Sequence, residues 1–119
     1  MSDVTKINYV EFPVSDMAAT KKFYTEAFGW EYVDYGPTYS SFSNAGIDGG
    51  FDAESGKKPV AEGALVVMYA PDIDACLDRV TNAGGTIVKP IFDFPGGRRF
   101  HFLDPNGNEL AVWSEQAEN

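Results

Sequence analysis

The chain carries one pattern of secondary structure twice, and this duplication limits the folds that it can adopt. Each half begins with an alternating, strand-like segment, at residues 7–14 and 65–69, followed by an amphipathic helical segment, at 17–28 and 73–83. Further short strand-like segments follow each helix. Because one helix covers only one face of a sheet, each half needs the other to bury its apolar side chains. The duplication therefore predicts an α+β fold built from two tandem β-α-β-β-β modules.

The two modules, residues 5–52 and 62–114, are expected to form a single domain over residues 1–119. Placed side by side, they give one curved sheet with the helices outside and a concave ligand cup within. A polar segment with glycine and proline, residues 53–59, links them. A concave sheet face of this kind is a natural place for a small ligand.

Short polar residues and glycines mark the expected helix ends. Asp16 and Asp72 precede the two helices and can accept hydrogen bonds from the free amides of the first turn. Gly29 and the pair at 84–85 follow them, and glycine readily takes the left-handed conformation that ends a helix. A second glycine pair, at 49–50, is interpreted as a strand bulge.

The charge balance excludes several classes of partner. The 119 residues hold 18 acidic and 9 basic side chains, a net charge of −9, which repels nucleic acid and anionic membrane surfaces. The single cysteine, Cys76, cannot form an internal disulfide. The first residues lack the basic start and apolar run of a signal peptide, and no apolar stretch is long enough to span a membrane. We therefore expect a cytoplasmic protein.

Three stretches, taken together and in this order, resemble the vicinal oxygen chelate superfamily. They read INYVEFPVSD at 7–16, DIDA at 72–75 and FLDPNGN at 102–108. This superfamily contains glyoxalase I, the bleomycin resistance proteins and the extradiol dioxygenases. The resemblance covers nearly the whole chain. It implies a homodimer whose partner completes the walls of each cup, and usually a divalent metal held there by four side chains, two from each module.

Transferring the metal-ligand positions of that superfamily to this chain gives residues that cannot bind a metal. The four positions fall on Tyr9, Gly50, Leu65 and Ala111. A neutral tyrosine is a poor ligand, and the other three side chains have no donor atom. We therefore predict no cofactor and no divalent metal.

Strand alternation predicts which residues line the cup instead. Phe100 and Phe102 are expected to pack on the helices, which would turn Arg99 and His101 towards the cup. The full set of predicted ligand-binding residues is Tyr9, Glu11, Leu65, Val67, Tyr69, Arg99, His101, Glu109 and Trp113. Such a surface suits a planar or amphipathic organic ligand with one or two polar groups.

Two functions remain open at this point. The first is a glyoxalase- or bleomycin-resistance-like protein that binds a small organic molecule without a metal. The alternative is a glyoxalase-related lyase, isomerase or oxygenase acting on a small vicinal-oxygen substrate, with His101, Arg99, Glu109 and Glu11 as candidate catalytic residues. His101 could be a general acid or base, although we favour a partly buried strand histidine bonded to a neighbour. The two carboxylates could equally be solvated residues at the rim.

Overall fold

The computed structural model describes residues 5–116, which form two similar halves. The first half contains β1 (Tyr9–Pro13), α1 (Met17–Phe28), β2 (Glu31–Asp34), β3 (Tyr39–Ser43) and β4 (Asp48–Asp52). The second half contains β5 (Val66–Tyr69), α2 (Ile73–Asn82), β6 (Thr86–Phe94), β7 (Gly97–Leu103) and β8 (Glu109–Ser114). The predicted β-α-β-β-β order of each half is thus observed, and the α+β class is confirmed.

The eight strands form two separate four-stranded sheets. Their strand orders are β1-β4-β3-β2 and β5-β8-β7-β6, each with one parallel pair, β1 with β4 and β5 with β8. The expected single curved sheet was therefore wrong in one respect, because the outer strands β1 and β5 are not hydrogen-bonded to each other. Side chains of both strands line a cavity on the helix side instead.

The capping residues predicted from the sequence set the helix starts and the end of α1. The Asp16 carboxylate accepts from the Ala19 amide at 3.0 Å, and the Asp72 carboxylate accepts from the Ala75 amide at 3.1 Å. Gly29 ends α1 in the left-handed conformation, with φ of 78°. These local signals fix where the chain leaves the first strand of each half and turns onto its helix.

The helices lie on one face of the two sheets and share a core with both. The Phe23 and Phe102 ring centroids are 5.9 Å apart, which joins α1 to β7 of the other half. The Tyr24 and Phe51 centroids are 5.1 Å apart, which joins α1 to β4 of its own half. Phe100 is also completely buried in this core. The predicted packing of Phe100 and Phe102 on the helix side is therefore confirmed.

A polar cluster fastens the turn between β7 and β8 to the start of α1. The Asn106 side-chain oxygen accepts from the Ser15 amide at 2.9 Å, and its nitrogen donates to the Thr20 hydroxyl at 2.9 Å. The buried Tyr24 hydroxyl donates to Asp104 at 2.9 Å. These bonds hold the two halves in one orientation without any strand pairing between them.

The glycine pair at 49–50 lies in a regular part of the sheet, so the predicted bulge there was wrong. Strands β1 and β3 both pair with β4 without a register shift. The glycines are required by close contacts instead, since a Cβ at Gly49 would lie 2.1 Å from the Val10 carbonyl oxygen. The observed register shifts lie in β6, on both sides of Lys89.

Within residues 5–116, neither helix has the length and apolar character that a membrane span requires.

Candidate functional site

Each sheet has a second face that points away from the helices, which we call its open face. On the second sheet, cross-strand pairing places Tyr69 beside Trp113, Trp113 beside Arg99 and Arg99 beside Phe92. Val67, Ala111 and His101 form the next row on the same face. Paired residues of neighbouring strands point to the same side of a sheet. The row of Tyr69, Trp113, Arg99 and Phe92 is therefore continuous across four strands.

A concavity of about 330 Å³ lies on this open face. Its lining residues are Val67, Phe94, Gly96, Arg99 and Trp113. The Trp113 ring meets Tyr69 edge-on, with 5.1 Å between the centroids, and Phe94 at 6.4 Å. The concavity thus combines aromatic walls with one guanidinium group.

Arg99 lies beside two aromatic rings and has no acidic partner among residues 5–116. Its Cζ atom is 5.8 Å from the Phe92 ring centroid and 5.7 Å from that of Phe94. Its Nε atom is buried without a hydrogen-bond partner, and none of the ion pairs within residues 5–116 includes it. The neighbouring Arg98, by contrast, pairs with Asp74 at 3.4 Å. A guanidinium that is partly desolvated and has no counter-ion favours an anionic group supplied from outside the chain.

His101 lies beneath the same aromatic cover and is bonded to Glu109. Only 3% of its surface is exposed, and its Nδ1 atom is 2.8 Å from the Glu109 Oε2 atom. Its Nε2 atom is buried and has no hydrogen-bond partner in the described part of the chain. The Phe92 ring lies 5.9 Å from the imidazole, centroid to centroid. The prediction of a buried strand histidine bonded to a neighbour describes this arrangement, with one nitrogen left unused.

The open face of the first sheet carries a hydrogen-bonded group of tyrosines over Gly50. The Tyr39 hydroxyl donates to Glu11 at 2.9 Å and is also bonded to the Tyr9 hydroxyl. Burial and these two neighbours raise the pKa of Tyr39 well above its ordinary value. Tyr9 and Glu11 were predicted from the sequence, whereas Tyr39 was not.

This group occupies the space that a metal ligand at Gly50 would need. A Cβ built on Gly50 would lie 2.3 Å from the Tyr39 hydroxyl oxygen and 2.7 Å from that of Tyr9. In the second half, Ala111 pairs with Val67 and His101, while Leu65 directly precedes β5. Across residues 5–116 no three His, Cys, Asp or Glu side chains come together as a metal site. The residues at the four superfamily positions do not fit a divalent metal.

A larger cavity, of about 590 Å³, lies between the two halves on the helix side. Its walls are mainly apolar and include Val10, Phe42 and Met68, with Arg79 of α2 also on its wall. Sequence reasoning did not predict this cavity, because it depends on how far apart β1 and β5 lie.

The structure brings together most of the predicted site residues of the second half. Val67, Tyr69, Arg99, His101, Glu109 and Trp113 lie on one open face. Tyr9 and Glu11 lie on the open face of the other sheet. Phe92 and Phe94 were missed, because β6 was followed only to residue 88. The available signal was their alternation around the charged Asp93. Whether these residues bind a ligand stays a prediction.

Comparison with known proteins identifies the family. The family model of the glyoxalase/bleomycin resistance protein/dioxygenase superfamily matches residues 6–112. The chain belongs to this superfamily. The finding confirms the resemblance inferred from the three sequence stretches.

Two relatives of this glyoxalase/bleomycin resistance superfamily chain share about a third of its residues. CFP32 of Mycobacterium bovis is 33% identical over 118 residues, covering 89% of this chain and 44% of the relative. The anthracycline biosynthesis protein DauV of Streptomyces sp. strain C5 is 34% identical over 117 residues, covering 82% and 42%. The chain thus spans less than half the length of these curated relatives.

Solved structures show the same superfamily fold. A glyoxalase-related enzyme from Fulvimarina pelagi superposes with a TM-score of 0.80 at 18% identity, covering 94% of this chain and 89% of that one. TnmS3, an antibiotic binding protein from Streptomyces sp. CB03234, superposes with a TM-score of 0.74 at 22% identity, covering 98% and 100%. At these identities the likeness concerns the fold alone.

Proposed function

We propose that this protein binds a planar aromatic molecule with an acidic group on the open face of its second sheet, without a metal. The observation that carries the proposal is the unpaired Arg99 guanidinium in the wall of an aromatic concavity. In a chain with a net charge of −9, carboxylates that could pair with an arginine are abundant. An arginine that pairs with none of them within the described residues is available for a ligand.

The walls of the concavity set the shape of this ligand. Trp113 and Phe94 offer aromatic surfaces, and aromatic groups pack favourably on one another in offset or edge-to-face arrangements. A carboxylate can take two parallel hydrogen bonds from one guanidinium, which fixes its orientation. The concavity of about 330 Å³ is within the range of small-molecule sites.

Two of the similar proteins support this class of ligand by their names. DauV is named for anthracycline biosynthesis. TnmS3 is described as an antibiotic binding protein. The name of TnmS3 supports binding of a small organic molecule, while the name glyoxylase given to CFP32 supports the enzymatic alternative below.

Calorimetric titration with 2-naphthoate tests the proposal. Arg99→Gln is expected to weaken binding about 10- to 100-fold, since hydrogen bonds to a charged group contribute roughly 1.5–3 kcal/mol. Arg98→Gln is the matched control, because Arg98 pairs with Asp74 and lies on the opposite face of β7. The dissociation constant of 2-naphthoate from Arg98→Gln should stay within about twofold of the native value. No binding to the native protein, or equal binding by Arg99→Gln, would contradict the proposal.

The alternative function is a lyase, isomerase or oxygenase that acts on a small vicinal-oxygen substrate. The observation that favours it is the His101–Glu109 pair, since a carboxylate that orients an imidazole is a common general-base arrangement. Turnover of a 2-oxoaldehyde that disappears in His101→Gln would support this alternative over simple binding.

A homodimer is part of the same proposal. Apolar and aromatic side chains remain exposed on both open faces, among them Tyr9, Val33, Leu65, Val67 and Tyr69. The outer edges of β1 and β5 have no strand partner within the described residues. A second copy that covers these faces would bury the apolar groups and protect the edges. Light scattering should give twice the mass of one chain, and a monomer at micromolar concentration would contradict this part.

A further inference from the structure

We infer that the aromatic acid bound on this face also carries a hydroxyl group, which donates a hydrogen bond to the Nε2 atom of His101. The inference rests on the proposed function and specifies its ligand class as hydroxylated aromatic acids. It is carried by two buried polar atoms without partners, His101 Nε2 and Arg99 Nε.

The hydrogen bond to Glu109 determines what His101 can offer to a ligand. A carboxylate only accepts hydrogen bonds, so the Nδ1 atom that faces Glu109 at 2.8 Å must carry the proton. In the neutral ring, Nε2 then has a free lone pair and acts as an acceptor. Its natural partner is a donor such as a hydroxyl group.

Leaving such atoms unpaired is costly in the unliganded protein. A buried polar atom without a partner has lost its hydrogen bonds to bulk water and gained none in exchange. Arg99 and His101 are two residues apart on β7, so both side chains point to the same open face. One ligand with an acidic group and a hydroxyl group could satisfy both side chains at once.

Phe92 determines how the ligand reaches these atoms. Its ring lies over both the Arg99 guanidinium and the His101 imidazole. Phe92 follows a register shift that begins at Lys89, where regular pairing between β6 and β7 is interrupted. Because the Nε2 atom is buried, a neighbouring side chain such as Phe92 has to move before a ligand can reach it.

The first test compares 2-naphthoate with its hydroxylated isomers by calorimetry. At least one hydroxynaphthoate should bind the native protein about tenfold more tightly than the parent acid, the gain expected from one additional hydrogen bond. In His101→Phe, the new phenyl ring can still contact Phe92 but accepts no hydrogen bond. The ratio of the two affinities, hydroxynaphthoate to 2-naphthoate, should therefore fall to about one. The parent acid is titrated against the same variant, so that the ratio of the two affinities is compared and any general loss of binding cancels.

The second test needs no variant, because His101 is the only histidine of the chain. In a protein without a histidine tag, the imidazole ¹⁵N spectrum reports this residue alone. The Nε2 resonance should move on addition of the favoured hydroxynaphthoate and stay in place with 2-naphthoate. This readout remains decisive if His101→Phe does not fold.

The outcomes separate the two proposals. If 2-naphthoate fails to bind the native protein, the proposed function fails. If 2-naphthoate binds, no hydroxylated isomer gains affinity and the Nε2 resonance stays unchanged, the inference about His101 fails while the proposed function stands.

Discussion

At the scale of single residues, the most specific feature is the absence of a side chain at Gly50. The tyrosine hydroxyls above it fill the volume where the superfamily would place a metal ligand. The sequence alone predicted that Gly50 offers no donor atom to a metal at this position. It could not show what replaces the donor, because Tyr39 reaches Gly50 only through the strand register of the folded sheet.

A substitution at Gly50 tests this packing. Gly50→Ala should lower the free energy of unfolding by about 1–3 kcal/mol, because its Cβ would meet the Tyr39 hydroxyl at 2.3 Å. In a Tyr39→Ala background, the same change should cost clearly less. Denaturant unfolding of the four proteins measures the coupling. Equal costs in the two backgrounds would contradict the contact.

A second residue-scale prediction concerns alkaline pH. Burial, and then the neighbouring Asp104, raise the pKa of Tyr24 well above 10.0. The folded state therefore favours the protonated hydroxyl. This contribution is complete below the unfolded pKa of about 10 and is lost as the pH rises towards the folded value.

Thermal unfolding measured between pH 8 and 11 tests whether stability falls as the pH rises. The native protein should lose stability above pH 10, and Tyr24→Phe should show a shallower decline. Tyr35→Phe, at an exposed position, is the control and should keep the native slope. A decline that is unchanged in Tyr24→Phe would exclude Tyr24 as its source.

At the scale of elements, the two halves differ in how their last turn meets the helix of the other half. The turn at 104–108 bonds to the start of α1 through Asn106. The equivalent turn at 44–46 lies on the wall of the larger cavity, beside the residues that lead into α2. The two turns occupy equivalent positions in the two halves, but the turn at 104–108 makes polar contacts with α1, whereas the turn at 44–46 lines an apolar cavity.

This asymmetry predicts unequal costs of mutation. Asn106→Ala removes bonds to the Ser15 amide and the Thr20 hydroxyl and should lower the free energy of unfolding by about 2 kcal/mol. Asn44→Gly removes one bond to the Gly29 carbonyl, and glycine accepts the positive φ of 62° found there. Its cost should be below about 1 kcal/mol. Denaturant unfolding measures both free energies. Equal losses of unfolding free energy in Asn106→Ala and Asn44→Gly would contradict this difference between the two turns.

Some of the helices and strands were predicted correctly from the sequence, and others were not. Helix α1 was predicted with its observed ends, because its capping signals are local in sequence. The orientation of Arg99 and His101 followed from the apolar Phe100 and Phe102 beside them. Most of β6 was missed, because its proline and register shifts disturb the alternation on which strand prediction depends.

At the scale of the whole molecule, the α+β architecture follows from the duplication, while the arrangement of the sheets does not. Whether two modules join through strand edges or through helices and turns depends on contacts far apart in sequence, such as Asn108 with the Pro13 carbonyl. Once the modules are held this way, both open faces and the edges of β1 and β5 are left for other partners. Ligand and second subunit would then share these surfaces.

We propose that the open face of the second sheet binds an aromatic acid through Arg99. A crystal structure of the protein grown with 2-naphthoate and divalent metal salts tests it most directly. We expect the naphthoate ring to lie against Trp113, with its carboxylate about 3 Å from the Arg99 guanidinium. Naphthoate only in the helix-side cavity, or a metal ion held on the open faces by carboxylates or imidazole of this chain, would contradict it.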